Sequence, residues 1–353
     1  MGRGLHLVFV CPTIRTMIDL PRVPLAHLPT PHQEADAASR RLGVHLRVKR
    51  DDLTGSHLSG NKVRKLEYLL ADALAEGATD VVTCGGIQSN HCRATALSAT
   101  PLGLSPVVLL RTTSGRMEDL PVPATGNVLL DLLAGATIHT CDPDGYKDRN
   151  AQMEEIAQAL RETGRSPYII PEGGSNALGS MGYVRAIDEL AAQCDGLLPS
   201  SILVATGSGG TLAGIAMGVR QLGLSITVLG LAVCDDSATF EARVLEISRE
   251  ANERFGAPLL TRADFQVLDE YKGVGYAISQ PVELSLIRDV TRSDGLVLDP
   301  VYTGKAWLGM ESLCRDRPEL IGPRPIFVHT GGIFGLMPAG EALSTVLKPD
   351  GTG

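Results

Sequence analysis

The run Gly60-Asn61-Lys62-Val63-Arg64-Lys65 places a lysine beside a glycine, and two distant turns supply what a reactive lysine would need. Gly85-Gly86-Ile87-Gln88-Ser89-Asn90-His91 is a polar turn between a strand-like and a helix-like run. Thr206-Gly207-Ser208-Gly209-Gly210-Thr211 is a glycine-rich turn in the same setting. A lysine amine condenses with an aldehyde as a Schiff base, amides at the head of a helix receive a carboxylate, and a glycine-rich loop lets backbone approach a phosphate. Together these three capacities describe pyridoxal phosphate (PLP) chemistry. Lys62 by itself would read as a solvated surface lysine.

Each turn also has a plainer reading. Ser89 and Asn90 are placed to bond a substrate carboxylate and a cofactor ring hydroxyl, respectively, yet either would also serve as a helix cap. Ser208, Gly209, Gly210 and Thr211 suit a phosphate. A dinucleotide fingerprint would need a glycine three positions after Gly209, where Leu212 stands. Gly173-Gly174-Ser175-Asn176-Ala177 lacks the closing glycine of a serine hydrolase's nucleophile elbow. Asp299-Pro300-Val301-Tyr302-Thr303-Gly304-Lys305 reads as a short strand's end opening a helix with Thr303 as its cap. His329-Thr330-Gly331-Gly332 ends another strand, and Tyr276 sits in a glycine-rich loop. The histidines are dispersed without metal-ligand spacing, so no metal site is expected.

These residues need a scaffold. Val44–Lys49 alternates like a half-buried strand, and 64–76 carries Leu66, Leu69, Leu70 and Leu74 at helical spacing. Strand-like runs at 81–84, 107–111, 137–141 and 168–171 alternate with helix-like stretches near 90–99, 127–133 and 151–163. A second series has strands at 202–205, 226–233, 265–268 and 326–329. Alternation of this kind predicts an α/β fold with two parallel sheets. Ligands of such sheets bind beyond the carboxyl ends of the strands, which is where the glycine-rich turns fall, so the active site is expected between the two domains.

The chain has 353 residues, enough for two domains, and 39 glycines where average usage of about 7% would give roughly 25. A net charge of −8 without a basic stripe, and only 4% aromatic residues, speak against nucleic acid as a partner. Seven scattered cysteines with no Cys-x-x-Cys pair suggest free thiols in a reducing cytoplasm. The apolar run Leu5–Val10 is too short for a membrane span and reads as an extension or an extra strand.

The motifs Gly60-Asn61-Lys62-x-Arg64-Lys65-Leu66-Glu67, Ile87-Gln88-Ser89-Asn90, Gly173-Gly174-Ser175-Asn176, Asp299-Pro300-Val301-Tyr302-x-Gly304-Lys305 and His329-Thr330-Gly331-Gly332 resemble, in matching order, the D-cysteine desulfhydrase and 1-aminocyclopropane-1-carboxylate (ACC) deaminase family. The resemblance runs from about Pro21 to about Leu336. It implies a tryptophan-synthase-β-like PLP fold of two open, three-layer parallel-sheet domains, with a small domain (65–175) inserted into a large one (1–64 plus 176–353), and usually a homodimer. It implies that Lys62 holds PLP, that Asn90 contacts the ring hydroxyl and that Ser208–Thr211 grips the phosphate. Ser89, Tyr276 and Tyr302 would surround a small amino-acid substrate.

Ring-opening members resemble Tyr-Glu-Gly-Lys in the tyrosine motif and carry leucine at the position of Thr330. Thr303 and Thr330 are similar to the desulfhydrase pattern, in which neutral hydroxyls beside the pyridine nitrogen leave a weaker electron sink than a carboxylate would. L-cysteate sulfo-lyases share much of this pattern. One departure is Ser59, where relatives usually have a second glycine. The expected function is a PLP-dependent β-elimination lyase acting on D-cysteine, with ACC deamination as the rival within the class. A PLP-carrying protein without turnover is the rival outside it.

Overall fold

The structure, a computed structural model, describes residues 18–347, and the run Leu5–Val10 lies outside the described residues. The strands are β1 (His32–Glu34), β2 (Arg47–Lys49), β3 (Asp80–Gly86), β4 (Ser105–Arg111), β5 (Thr137–Cys141), β6 (Pro167–Ile169), β7 (Ser201–Thr206), β8 (Thr227–Ala232), β9 (Gln266–Leu268) and β10 (Pro325–Val328). Around them lie helices α1 (Asp36–Leu42), α2 (Lys62–Ala75), α3 (Asn90–Ala99), α4 (Gly126–Leu133) and α5 (Arg149–Glu162). The later helices are α6 (Ala177–Gln193), α7 (Gly210–Gln221), α8 (Ser237–Phe255), α9 (Pro281–Asp294) and α10 (Thr303–Asp316).

The strands form two sheets, as the alternation predicts. One has the order β1-β2-β10-β7-β8-β9 and the other β5-β4-β3-β6. Every pairing is parallel except that of the edge strand β1 with β2, a strand the sequence reading did not foresee. Two further expectations fail. β2 begins at Arg47, not Val44, and the run before Asp299 is buried without forming a strand. Leu296 and Leu298 are fully buried there, in the core cluster with Trp307 and Phe327, and the run pairs with no strand of either sheet.

In β7, Ile202 and Val204 pack with Leu66, Leu69 and Met217 on one face, while Leu203 and Ala205 pack with Trp307 and Phe327 on the other. A strand covered on both faces loses alternation and reads as a continuous apolar run. Helix α6 lies backbone-close to two neighbours: a Cβ on Gly182 would collide with the Arg64 carbonyl, and one on Gly214 with that of Ser180. Buried Arg64 completes the clamp, donating to both Asp51 oxygens (2.8 and 2.9 Å) and to Glu189 Oε2 (3.0 Å). The head of α2, where Lys62 sits, is thereby fixed against the six-stranded sheet. Among the described residues no helix is long and apolar enough to cross a membrane.

Candidate active site

A cavity of about 380 Å³ opens at the carboxyl ends of the central strands, within the size range of small-molecule sites. Its wall includes Gly85, Gly86, Ser89, Asn90 and Arg111 from the four-stranded sheet's side, and Thr206–Gly209, Cys234 and Thr330 from the other. Lys62, the first residue of α2, projects into it. Burial lowers the Lys62 amine to about 8, against the opposing pull of the Glu172 carboxylate. The positive end of α2 acts in the same direction as burial.

Two other lysines in the motifs are engaged elsewhere. Lys65 Nζ donates to Gly173 O (3.2 Å) and Ser175 Oγ (3.0 Å), behind the wall. Lys305 Nζ donates to Lys272 O (2.9 Å) and Gly275 O (2.6 Å), tying down the loop that carries Tyr276. Among the described residues, the Lys62 amine makes no such bond, so it is the one free to react.

Ser89 is indeed the cap of α3, its Oγ accepting from Cys92 N (3.2 Å), and it lines the cavity as well. An oxygen that accepts from the helix still has its proton to donate. Gly85 makes room for it, since a Cβ there would overlap Ser89 Oγ. On the opposite side, Gly209 (φ +81°) turns the chain from β7 into α7, and Ser208 Oγ lies 2.8 Å from Ser175 Oγ. Thr211 Oγ1 accepts from Asn61 Nδ2 (3.0 Å). Unpaired amides at the head of a helix of 12 residues, flanked by hydroxyls, make an anion cradle.

Tyr276 and Tyr302 face each other with hydroxyls 2.9 Å apart and rings edge to face. Burial pushes Tyr276 up to about 12 and raises Tyr302 well above the usual phenol range, so both are phenols at neutral pH. One O–H is spent on the other oxygen, which leaves a single proton to offer the cavity.

Two expected residues do not reach the wall. Gly210 turns toward Ser175 and Lys65, to which an added Cβ would come within 2.7 and 2.8 Å. Thr303 is fully buried as the first residue of α10. Its hydroxyl donates to Asp299 Oδ1 (2.7 Å) and accepts from Asp299 N (2.7 Å), so it is not free for a pyridine nitrogen. Thr330, by contrast, lines the cavity, and no group among the described residues binds its hydroxyl.

Sequence reasoning missed a polar group on the small-sheet side. Arg111, which ends β4 in register with Gly86, lies over the Tyr276 ring (5.1 Å) and the Tyr146 ring (5.2 Å). Tyr146 donates to Glu172 Oε1 (2.7 Å), and Arg149 pairs with Glu172 Oε2 (3.0 Å). The one available signal was the position of Arg111 at the carboxyl end of a parallel strand.

The residues present fit PLP: a free lysine of lowered basicity, an anion cradle on α7, a second one on α3, and a neutral hydroxyl at Thr330. His91, in the same wall, adds a buried Nδ1 with no partner among the described residues. Comparison with known proteins agrees. Residues 23–331 match the family model described as "Pyridoxal-phosphate dependent enzyme", and the chain belongs to that family. A Thermotoga maritima relative is 40% identical over 316 residues, covering 89% of this chain and 97% of its own. A relative from Arabidopsis thaliana is 38% identical over 330 residues (92% of this chain, 81% of that one). It is named "Bifunctional D-cysteine desulfhydrase/1-aminocyclopropane-1-carboxylate deaminase, mitochondrial". A solved structure titled as an ACC deaminase homologue superposes with a TM-score of 0.85 at 38% identity, over 94% of this chain and 98% of that one.

Proposed function

We propose that this enzyme is a β-elimination lyase acting on a small amino acid, D-cysteine foremost, releasing sulfide, pyruvate and ammonia. Bound at Lys62, PLP would supply an aldehyde for the substrate amine and a conjugated ring to accept electrons. The chain's own residues do the rest. The amides before α3, with the Ser89 hydroxyl, receive the carboxylate, and Arg111 adds positive potential at the same rim. The amine of Lys62, once displaced by substrate, is poised near pH 8 to take the α-proton. The protonated Tyr276–Tyr302 pair serves as donor to the departing thiolate. Asn90 would contact the ring hydroxyl, and Ser208, Gly209 and Thr211 would hold the phosphate.

The observation that carries the choice of substrate is the wall around Thr330. Its hydroxyl is free, while the adjacent carboxylate of Asp299 is saturated by three backbone N–H groups and Thr303. A ring nitrogen there meets a neutral partner, which suits loss of a good β leaving group better than ring opening. The name of the Arabidopsis relative, which pairs both activities, favours ACC as the second reading. Free thiols at all six described cysteines are consistent with a reducing cytoplasmic location. Sulfide, pyruvate and 2-oxobutyrate release from D-cysteine, L-cysteine, L-cysteate and ACC, measured side by side, tests the reading. D-cysteine should be turned over fastest, and more efficient turnover of ACC would refute it.

A further inference from the structure

Asn90 lines the cavity with an amide whose two ends are chemically opposite, a carbonyl that accepts and an NH₂ that donates. Which end faces the cavity is settled behind it. Arg93, fully buried on α3, donates through Nε to Asn127 Oδ1 (2.8 Å). A guanidinium has no acceptor, so the Asn127 oxygen must point at Arg93 and its NH₂ must point away. That NH₂ donates to Asn90 Oδ1 (3.0 Å) and to Gln88 O (3.0 Å). The Asn90 oxygen is thus occupied, and its NH₂ has no partner among the described residues.

Arg93 is itself held fast. Its other nitrogens donate to the carbonyls of His57 and Ser59, in the loop that leads into Lys62, and its guanidinium lies 4.8 Å from the Phe334 ring centre. Asn127 is equally constrained, its backbone N–H donating to Gln88 Oε1 (2.8 Å) at the head of α4.

We infer that Asn127, oriented by Arg93, is a positioning residue that locks Asn90 with its NH₂ toward the cofactor ring oxygen. This rests on the placement of the ring beside Asn90 proposed above. An N–H donated to that oxygen spreads its negative charge and weakens its hold on the proton shared with the lysine nitrogen. The pH at which the bound chromophore loses that proton is therefore held low. In Asn127→Asp, a carboxylate replaces the NH₂, so Asn90 must turn to donate to it and present its carbonyl to the ring oxygen.

The test is a spectrophotometric pH titration of PLP-loaded wild type, Asn90→Ala, Asn127→Asp and Asn127→Ala. Asn90→Ala should raise the midpoint, and Asn127→Asp should raise it by about one pH unit, the scale of a charge-assisted hydrogen bond. Asn127→Ala, which frees the amide without inverting it, should raise it less. A shifted Asn90→Ala beside a wild-type midpoint in Asn127→Asp would overturn the lock. If Asn127→Asp does not fold, an unmoved midpoint in Asn127→Ala overturns it instead. An unmoved Asn90→Ala would remove its premise, because the ring would then not lie against Asn90.

Discussion

Lys62 differs from Lys65 and Lys305 in what its amine touches, and that difference assigns their roles. Lys62→Ala should abolish turnover while the α7 cradle still retains PLP, a split visible by comparing cofactor absorbance with product release. Ser89 has two duties, and two substitutions separate them. Ser89→Ala should cost about 1 kcal/mol of stability through the lost cap, whereas Ser89→Gly should cost only a few tenths. Both should lower kcat/KM at least about tenfold, equivalent to some 1.4 kcal/mol in the barrier. Equal activity in either variant would reduce Ser89 to a cap. Buried Asp131, whose carboxylate has no hydrogen-bonding partner among the described residues, is raised by burial to about 8. The folded state then binds a proton that the unfolded chain releases near pH 4, so stability should fall as pH rises from about 4 to about 8. Asp131→Asn should flatten that decline, as thermal melts at pH 5 and pH 8 would show.

At the scale of elements, the junctions of strand and helix do the positioning. Adding a methyl at Gly85 forces Ser89 away from the head of α3, so Gly85→Ala should lower both melting temperature and activity. Thr303 belongs to the framework of α10. Thr303→Val should lower stability by about 1–3 kcal/mol through the stranded Asp299 groups, yet leave the cofactor spectrum unchanged. The motif order made Thr303 look like a ring contact because a sequence cannot say which way the first residue of a helix points. The strands and turns were legible for a physical reason: β7 and β8 are apolar on both faces, and glycines mark the close approaches at 85 and 209. Arg111, Tyr146, Glu172 and Asn127 were not legible. Each acts through partners brought near by tertiary folding, and no local spacing encodes that. β1 was missed because three residues, His32–Glu34, carry too short a pattern.

Across the whole molecule, α4 exposes Leu129, Leu132 and Leu133, and Ile333 and Met337 lie exposed in the segment that packs beside it. We propose that this apolar face is the contact of the homodimer that the family resemblance implies. Leu132→Lys with Leu133→Lys should shift the sedimentation coefficient from that of a dimer toward that of a monomer. An unchanged value, or a wild type that already sediments as a monomer, would overturn that proposal. The cavity, in contrast, draws on both sheets of one chain, with one anion cradle on the smaller and the other on the larger.

Both cradles converge on one amine, so the most direct test is to trap the cofactor where it is bound. Borohydride reduction of the purified holoenzyme, followed by peptide mapping, should place a single pyridoxyl group on Lys62. A group on Lys65 or Lys305, or no adduct on any lysine of a PLP-loaded protein, would contradict the account.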